Sequence, residues 1–177
     1  RNVVWSLSSV AIDGTVYVVD SVGKDLWILP SLNGKWGRVA NKTRFPWQTI
    51  RSAKKFYALS GGVMVFVLPN GLCLVVDREK TYSVKGDGIV STETGSWAYS
   101  KHGASLILTP LGAPSSKGVH LDLPHSANSL DMVGRLQLLG SGRYLVARAQ
   151  NSGFGGGEAA IIWWDLNSSP SVGHVAR

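Results

Sequence analysis

The sequence predicts an all-β chain built of four similar sheets, and three observations predict it. First, 21 glycines and many Val-rich runs alternate along 177 residues, a pattern of short strands joined by tight turns. Second, runs such as "TVYVVD", "VMVFVLP" and "LCLVVD" are apolar at nearly every position. A strand with one wet face alternates instead, so these runs predict strands covered on both faces. Third, one plan recurs four times, with turn glycines at Gly14, Gly62, Gly103 and Gly142. That spacing of roughly 40 residues is the size of one four-stranded propeller blade. The expected fold is a β-propeller of about four blades, or a four-blade portion of a larger propeller. A two-layered β-sandwich, which also yields many short strands, is the alternative.

The four segments are Val10–Pro30, Phe56–Asp77, Trp97–Pro124 and Leu136–Leu166. Each holds a short strand, a turn with Gly, an apolar strand, a polar loop and a second apolar strand. "DG" at Asp13–Gly14 and "PNG" at Pro69–Gly71 are strong turn signals, because Gly reaches positive φ without steric cost. The whole of 1–177 is then one propeller or part of one, with blades at 5–45, 46–88, 89–128 and 129–173. The chain opens on Arg1, from which we expect that residues precede it.

Two segments resemble known repeat families. "GTVYVVDSVGKDLWILPSLNGKWGRV" resembles a kelch unit, with Trp36 starting the outer strand, although the kelch double glycine is replaced by "VVDSV". "AIIWWDLNSSPSV" resembles the end of a WD repeat, with Trp164–Asp165 in the "WD" place. Both resemblances imply propeller blades. Neither implies functional residues.

Charge is the most uneven feature. The net charge is +7, and the stretch "KWGRVANKTRFPWQTIRSAKK" alone holds seven cations: Lys35, Arg38, Lys42, Arg44, Arg51, Lys54 and Lys55. No acid occurs between Leu26 and Val76. In the repeat frame this stretch is the outer strand of one blade and the crossing to the next. Pro46 fixes φ and lacks an N–H, so no helix is expected through "FPW". The seven cations are the candidate contact residues, on one surface, for other proteins of a complex or for RNA or another polyanion. Trp36, Phe45 and Trp47 are interleaved with them and would stack bases if exposed. They would pack between blades if not, leaving the cations as solvated edge charges.

Chemical motifs are sparse. His102, His120, His125 and His174 form no paired spacing. His120 and Asp122 would share a strand face, but a third ligand is lacking, so no metal site is expected. No Gly-x-Ser-x-Gly elbow occurs. "STETGSW" at Ser91–Trp97 falls one residue short of a sialidase-type Asp-box and reads as a turn. "GFGGGE" at Gly153–Glu158 precedes a strand-like run rather than a helix, so it is a hairpin loop and not a phosphate cradle. Phe154 at its tip is a further candidate contact. The loop Pro110–Gly118 occupies the matching place one unit earlier and is expected on the same side.

Cys73 is the only cysteine. It cannot form an internal disulfide, and its apolar flanks predict a buried, inert thiol. This favours an intracellular location, whereas the N-glycosylation patterns at Asn41 and Asn167 are compatible with secretion. Apolar runs stop well short of about 18 residues, so no helical membrane span is expected.

The function expected from these features is a propeller scaffold or interaction domain within a larger macromolecular assembly, without a cofactor and without catalytic machinery. The alternatives are an RNA-contacting component of a ribonucleoprotein, acting through residues 35–55, and a propeller-type glycosidase or other enzyme. With 11 acids scattered among turns, a cluster of catalytic carboxylates is not evident.

Overall fold

The structure is a computed structural model. It describes residues 7–20, 23–31, 33–39, 45–91, 95–103, 105–113, 117–124, 131–132, 136–139, 143–150, 159–167 and 173–176. These form four antiparallel sheets. The chain divides into two compact units, Arg1–Asp87 and Gly88–Arg177, and each holds two sheets with a core between them.

In the first unit, one sheet is the meander β1 (Leu7–Val10), β2 (Val16–Asp20), β3 (Asp25–Leu29) and β4 (Gly37–Arg38). The other is the meander β5 (Lys55–Ala58), β6 (Met64–Val67), β7 (Leu72–Val76) and β8 (Thr81–Lys85). Leu7, Val19 and Leu26 lie side by side in register and face Phe56, Phe66, Leu74 and Val76 in one apolar cluster. Phe56 and Phe66 stack within it, ring centroids 4.9 Å apart. The two sheets are also joined by a polar contact: the Ala58 N–H on β5 donates to Ser9 Oγ on β1 at 2.9 Å.

The β5–β8 sheet bears out the reading of non-alternating runs. Phe66 and Leu74 face the cluster, while Val65, Cys73 and Val75 point the other way and are also fully buried. Period-2 polarity is absent because neither face is wet.

The second unit repeats the plan. Its first sheet is β9 (Gly88–Ser91), β10 (Ser96–His102), β11 (Ser105–Pro110) and β12 (Val119–Asp122). Its second holds β13 (Asp131–Met132), β14 (Gln137–Leu139), β15 (Tyr144–Gln150), β16 (Ala159–Asp165) and β17 (His174–Ala176), with β13 and β14 both pairing with β15. Leu106, Leu121, Leu145, Ile162 and Trp164 form its core. Trp164 is the largest fully buried side chain among the described residues, and its indole N–H donates to the Asp122 carbonyl at 2.8 Å. The Gly173 N–H donates to the same oxygen at 2.9 Å. The two sheets are therefore joined by polar contacts as well as apolar ones.

Two local expectations are corrected. Pro46 does not exclude a helix: α1 (Trp47–Ile50) begins at the next residue, with Pro46 at φ −75°. A proline at a helix start forfeits only an N–H that has no intrahelical partner there. The third repeat is also one strand out of phase. Gly14 and Gly62 turn the first strand into the second, at φ 83° and 79°, whereas Gly103 lies between β10 and β11, the second and third strands. The four-residue strand β9 lies before Trp97, where the third segment was expected to begin. Gly142 lies outside the described residues.

Candidate functional site

The basic stretch is where the sequence places most of its unbalanced charge, and the strand order divides it. Lys35 sits in the turn between β3 and β4, beyond the Leu29 end of β3. Antiparallel pairing then carries the chain back, so that the Val39 N–H donates to Leu26 at 2.9 Å. Arg51 and Lys54 follow α1, and Lys55 opens β5, the first strand of the other sheet. Lys42 and Arg44 lie outside the described residues.

Arg38 is already neutralised. Its Nε and Nη2 both donate to Asp25 Oδ1, at 2.8 and 2.6 Å, and its guanidinium lies 6.0 Å from the Trp27 ring centroid. By contrast, Lys35, Arg51, Lys54 and Lys55 are exposed, with no carboxylate partner among the described residues.

The interleaved aromatics face inward for the most part. Phe45 is buried, and Trp47 packs on the same cluster with its ring 5.3 Å from that of Phe45. Ile50 follows them into the core. These three side chains pin the crossing to the sheets and push Arg51, Lys54 and Lys55 outward beyond it. Trp36 is 48 % exposed and follows Lys35 in the connection between β3 and β4.

A second cluster, which the sequence reading missed, covers the outer face of the last sheet. Tyr144, Trp163 and His174 come from β15, β16 and β17. The Tyr144 and Trp163 rings meet edge to face at 6.0 Å, and Trp163 stacks on His174 at 4.3 Å. Beside them, Arg143 Nη2 donates to Asp165 Oδ2 at 2.8 Å. The Arg143 guanidinium and the Asn167 N–H hold the Asp165 carboxyl below the usual carboxylate range. The available signal was "WWD": adjacent tryptophans on a strand must point to opposite faces, one inward and one outward.

The remaining candidates are dispersed. His120 and Asp122 are both exposed on β12, and Asp122 accepts a hydrogen bond from Ser105 Oγ at 3.1 Å. His125 and Phe154 lie outside the described residues. Among the described residues, no three His, Cys, Asp or Glu side chains are grouped to hold a metal ion. Cys73 is buried, its Sγ 3.4 Å from the Gly86 carbonyl, and burial pushes its thiol up to about 12. The loops at 110–118 and 151–158 join different strand pairs, β11 to β12 and β15 to β16. They are therefore not matching loops, although residues 114–116 and all of 151–158 lie outside the described residues. No described helix is long and apolar enough to cross a membrane.

No family model matches the sequence, and no curated protein matches it. The structure does resemble solved ones. A streptogramin B lyase aligns over 100 % of this chain and 55 % of its own length, at 11 % identity and a TM-score of 0.50. The fold is a β-propeller. A catalytically inactive virginiamycin B lyase from Staphylococcus aureus, solved with quinupristin, aligns over 92 % of this chain and 63 % of its own, at 11 % identity and a TM-score of 0.43.

The four sheets are thus propeller blades, and the chain spans about half the length of the lyase it matches. These neighbours correct one expectation. A domain without catalytic machinery was expected, yet the structures that share the fold are enzymes. The propeller gives no ground for excluding catalysis. At 11 % identity the likeness is one of fold alone, and it assigns no residue a role.

Proposed function

We propose that this propeller chain is an interaction domain of a larger macromolecular assembly, and that it receives an acidic protein surface at Arg51, Lys54 and Lys55. One observation carries the reading: three exposed cations within five residues, with no carboxylate partner among the described residues. Their mutual repulsion is relieved when an anionic surface covers them. The short helix and the Phe45–Trp47–Ile50 anchor beneath them hold the display site in place.

An acidic protein is favoured over single-stranded RNA by the placement of the aromatics. A single-strand platform combines phosphate contacts with stacking rings in one groove. Here Phe45 and Trp47 pack on the core, and the exposed Trp36 belongs to a different segment, the connection between β3 and β4.

Titration of the chain with poly-L-glutamate and with poly(U), from about 50 mM salt upward, tests this reading. The polypeptide is expected to bind at least as well as the polynucleotide. The triple variant Arg51→Ala, Lys54→Ala, Lys55→Ala is expected to weaken polyglutamate binding about tenfold and to flatten its salt dependence. Equal binding by the variant, or no polyglutamate binding at the lowest salt, overturns the proposal. Tighter poly(U) binding that the triple variant abolishes moves the assignment to RNA.

A further inference from the structure

The register of the β5–β8 sheet brings one more cation to the end of the sheet that carries Lys54 and Lys55. Lys55 pairs with Val67, Val67 with Cys73 and Cys73 with Val84. These four residues form one row across the sheet. The next row outward holds Leu68 and Leu72, joined by the Leu68 N–H at 2.8 Å, and Lys85, which pairs with Leu72. Lys54, the residue before Lys55, lies at the same end. Lys85 falls outside the basic stretch of the sequence, and only antiparallel pairing places it there. It is exposed, with no carboxylate partner among the described residues.

The row also sets a length. Three strand spacings of about 4.8 Å separate β5 from β8, which puts Lys54 and Lys85 roughly 14 Å apart. An extended peptide advances about 3.4 Å per residue, so carboxylates about four residues apart reach both. Between the two cation groups lies the β6–β7 turn, with Pro69 and Asn70 exposed. The Asp87 carboxylate borders this turn, its Oδ1 3.9 Å from where a Cβ on Gly71 would stand. A carboxylate at the middle of the row repels an acid placed there. The two flanks are therefore the seats for negative charge. A compact anion touches one flank, whereas an extended acidic segment touches both.

We propose that Lys85 belongs to the acidic-partner site, and that the partner enters it as an extended acidic segment lying across the strand ends of the β5–β8 sheet. One carboxylate meets Arg51, Lys54 and Lys55, and another, about four residues on, meets Lys85. This deepens the acidic-partner reading and rests on it. The test is titration of the full chain with poly-L-glutamate at about 100 mM salt. Lys85→Gln is expected to weaken binding about threefold and Lys85→Glu about tenfold, with unchanged circular dichroism. Lys80→Glu makes the same charge reversal at the other end of β8, where Thr81 pairs with Val76 and Val76 with Met64. It lies about 16 Å from Lys85, beyond the Debye length of about 10 Å at this salt, and is expected to leave binding unchanged. Capped hexaglutamate reaches from Lys54 to Lys85, and capped triglutamate does not. The longer peptide is expected to bind the wild-type chain at least about tenfold more tightly than the shorter, and Lys85→Glu only about twofold more tightly.

Lys85 variants that bind polyglutamate as Lys80→Glu does overturn this proposal, and so does the same hexaglutamate-to-triglutamate ratio in wild type and Lys85→Glu. Either result leaves the acidic-partner reading standing if the Arg51, Lys54, Lys55 triple variant is weakened. A triple variant that binds normally overturns that reading, and this proposal with it.

Discussion

Arg143 and Asp165 show how much a single pair can be asked to do. The carboxylate accepts from Arg143 Nε and Nη2 and from the Asn167 N–H, and these donors lower its proton affinity. In the unfolded chain the same group titrates near about 3.9. Between the lowered native value and that one, the unfolded state binds more protons than the native state. The stabilisation is therefore complete above about pH 4 and is lost as pH falls through the native value. Asp165→Asn is expected to lower the urea midpoint at neutral pH, with the gap from wild type closing below about pH 4. Parallel pH profiles would show that the pair is too well solvated to matter. Among single residues, the buried thiol of Cys73 was legible from its apolar flanks. The neutralisation of Arg38 was not, because Asp25 is thirteen residues away in sequence and adjacent only through the β3–β4 hairpin.

Individual strands were legible where burial is two-sided, and hidden where they are short. β6 and β7 announce themselves by uninterrupted apolar runs. β9 and β4, with four and two residues, carry too little pattern to separate from turns, and the third repeat was misphased as a result. The helix α1 escaped notice because the rule that proline breaks helices holds in their interior and not at their first turn. The junction of β12, β16 and β17 allows a direct test at this scale. A Cβ on Gly173 would lie 2.7 Å from Pro124 Cδ and 2.8 Å from Trp164 Nε1. Gly173→Ala is expected to destabilise the chain by about 1–3 kcal/mol through overpacking. Trp164→Ala is expected to cost about 3–5 kcal/mol by leaving a cavity. Thermal denaturation with both variants checks the order. A neutral Gly173→Ala would mean that the junction can part without loss.

For the molecule as a whole, the period of about 40 residues was enough to give the propeller, since each blade is one repeat of the chain. The division into two units at Asp87–Gly88 was not anticipated, because the four repeats read alike and nothing in their spacing sets one pair apart from the other. Each unit has its own apolar cluster, and elements that share a core open together. Phe66→Ala, costing about 3–5 kcal/mol, is expected to raise amide exchange across residues up to 87 more than across 88–177. Exchange followed by mass spectrometry reads the difference. Uniform loss of protection would show a single cooperative unit. The candidate site was legible only as a run of charge; which cations stay without a carboxylate follows from strand order that composition does not encode.

The two-sided burial of the β5–β8 sheet has a consequence for how this chain can vary. At Val65, Cys73 or Val75 a gain or loss of one methylene is felt where no solvent can absorb the misfit, while Phe66 and Leu74 are held equally from behind. Changes in this sheet must come in compensating sets. At exposed apolar positions such as Val10 and Ile161, by contrast, the chain can drift one residue at a time. Divergence among chains of this kind should therefore accumulate at such exposed positions before it reaches the β5–β8 sheet.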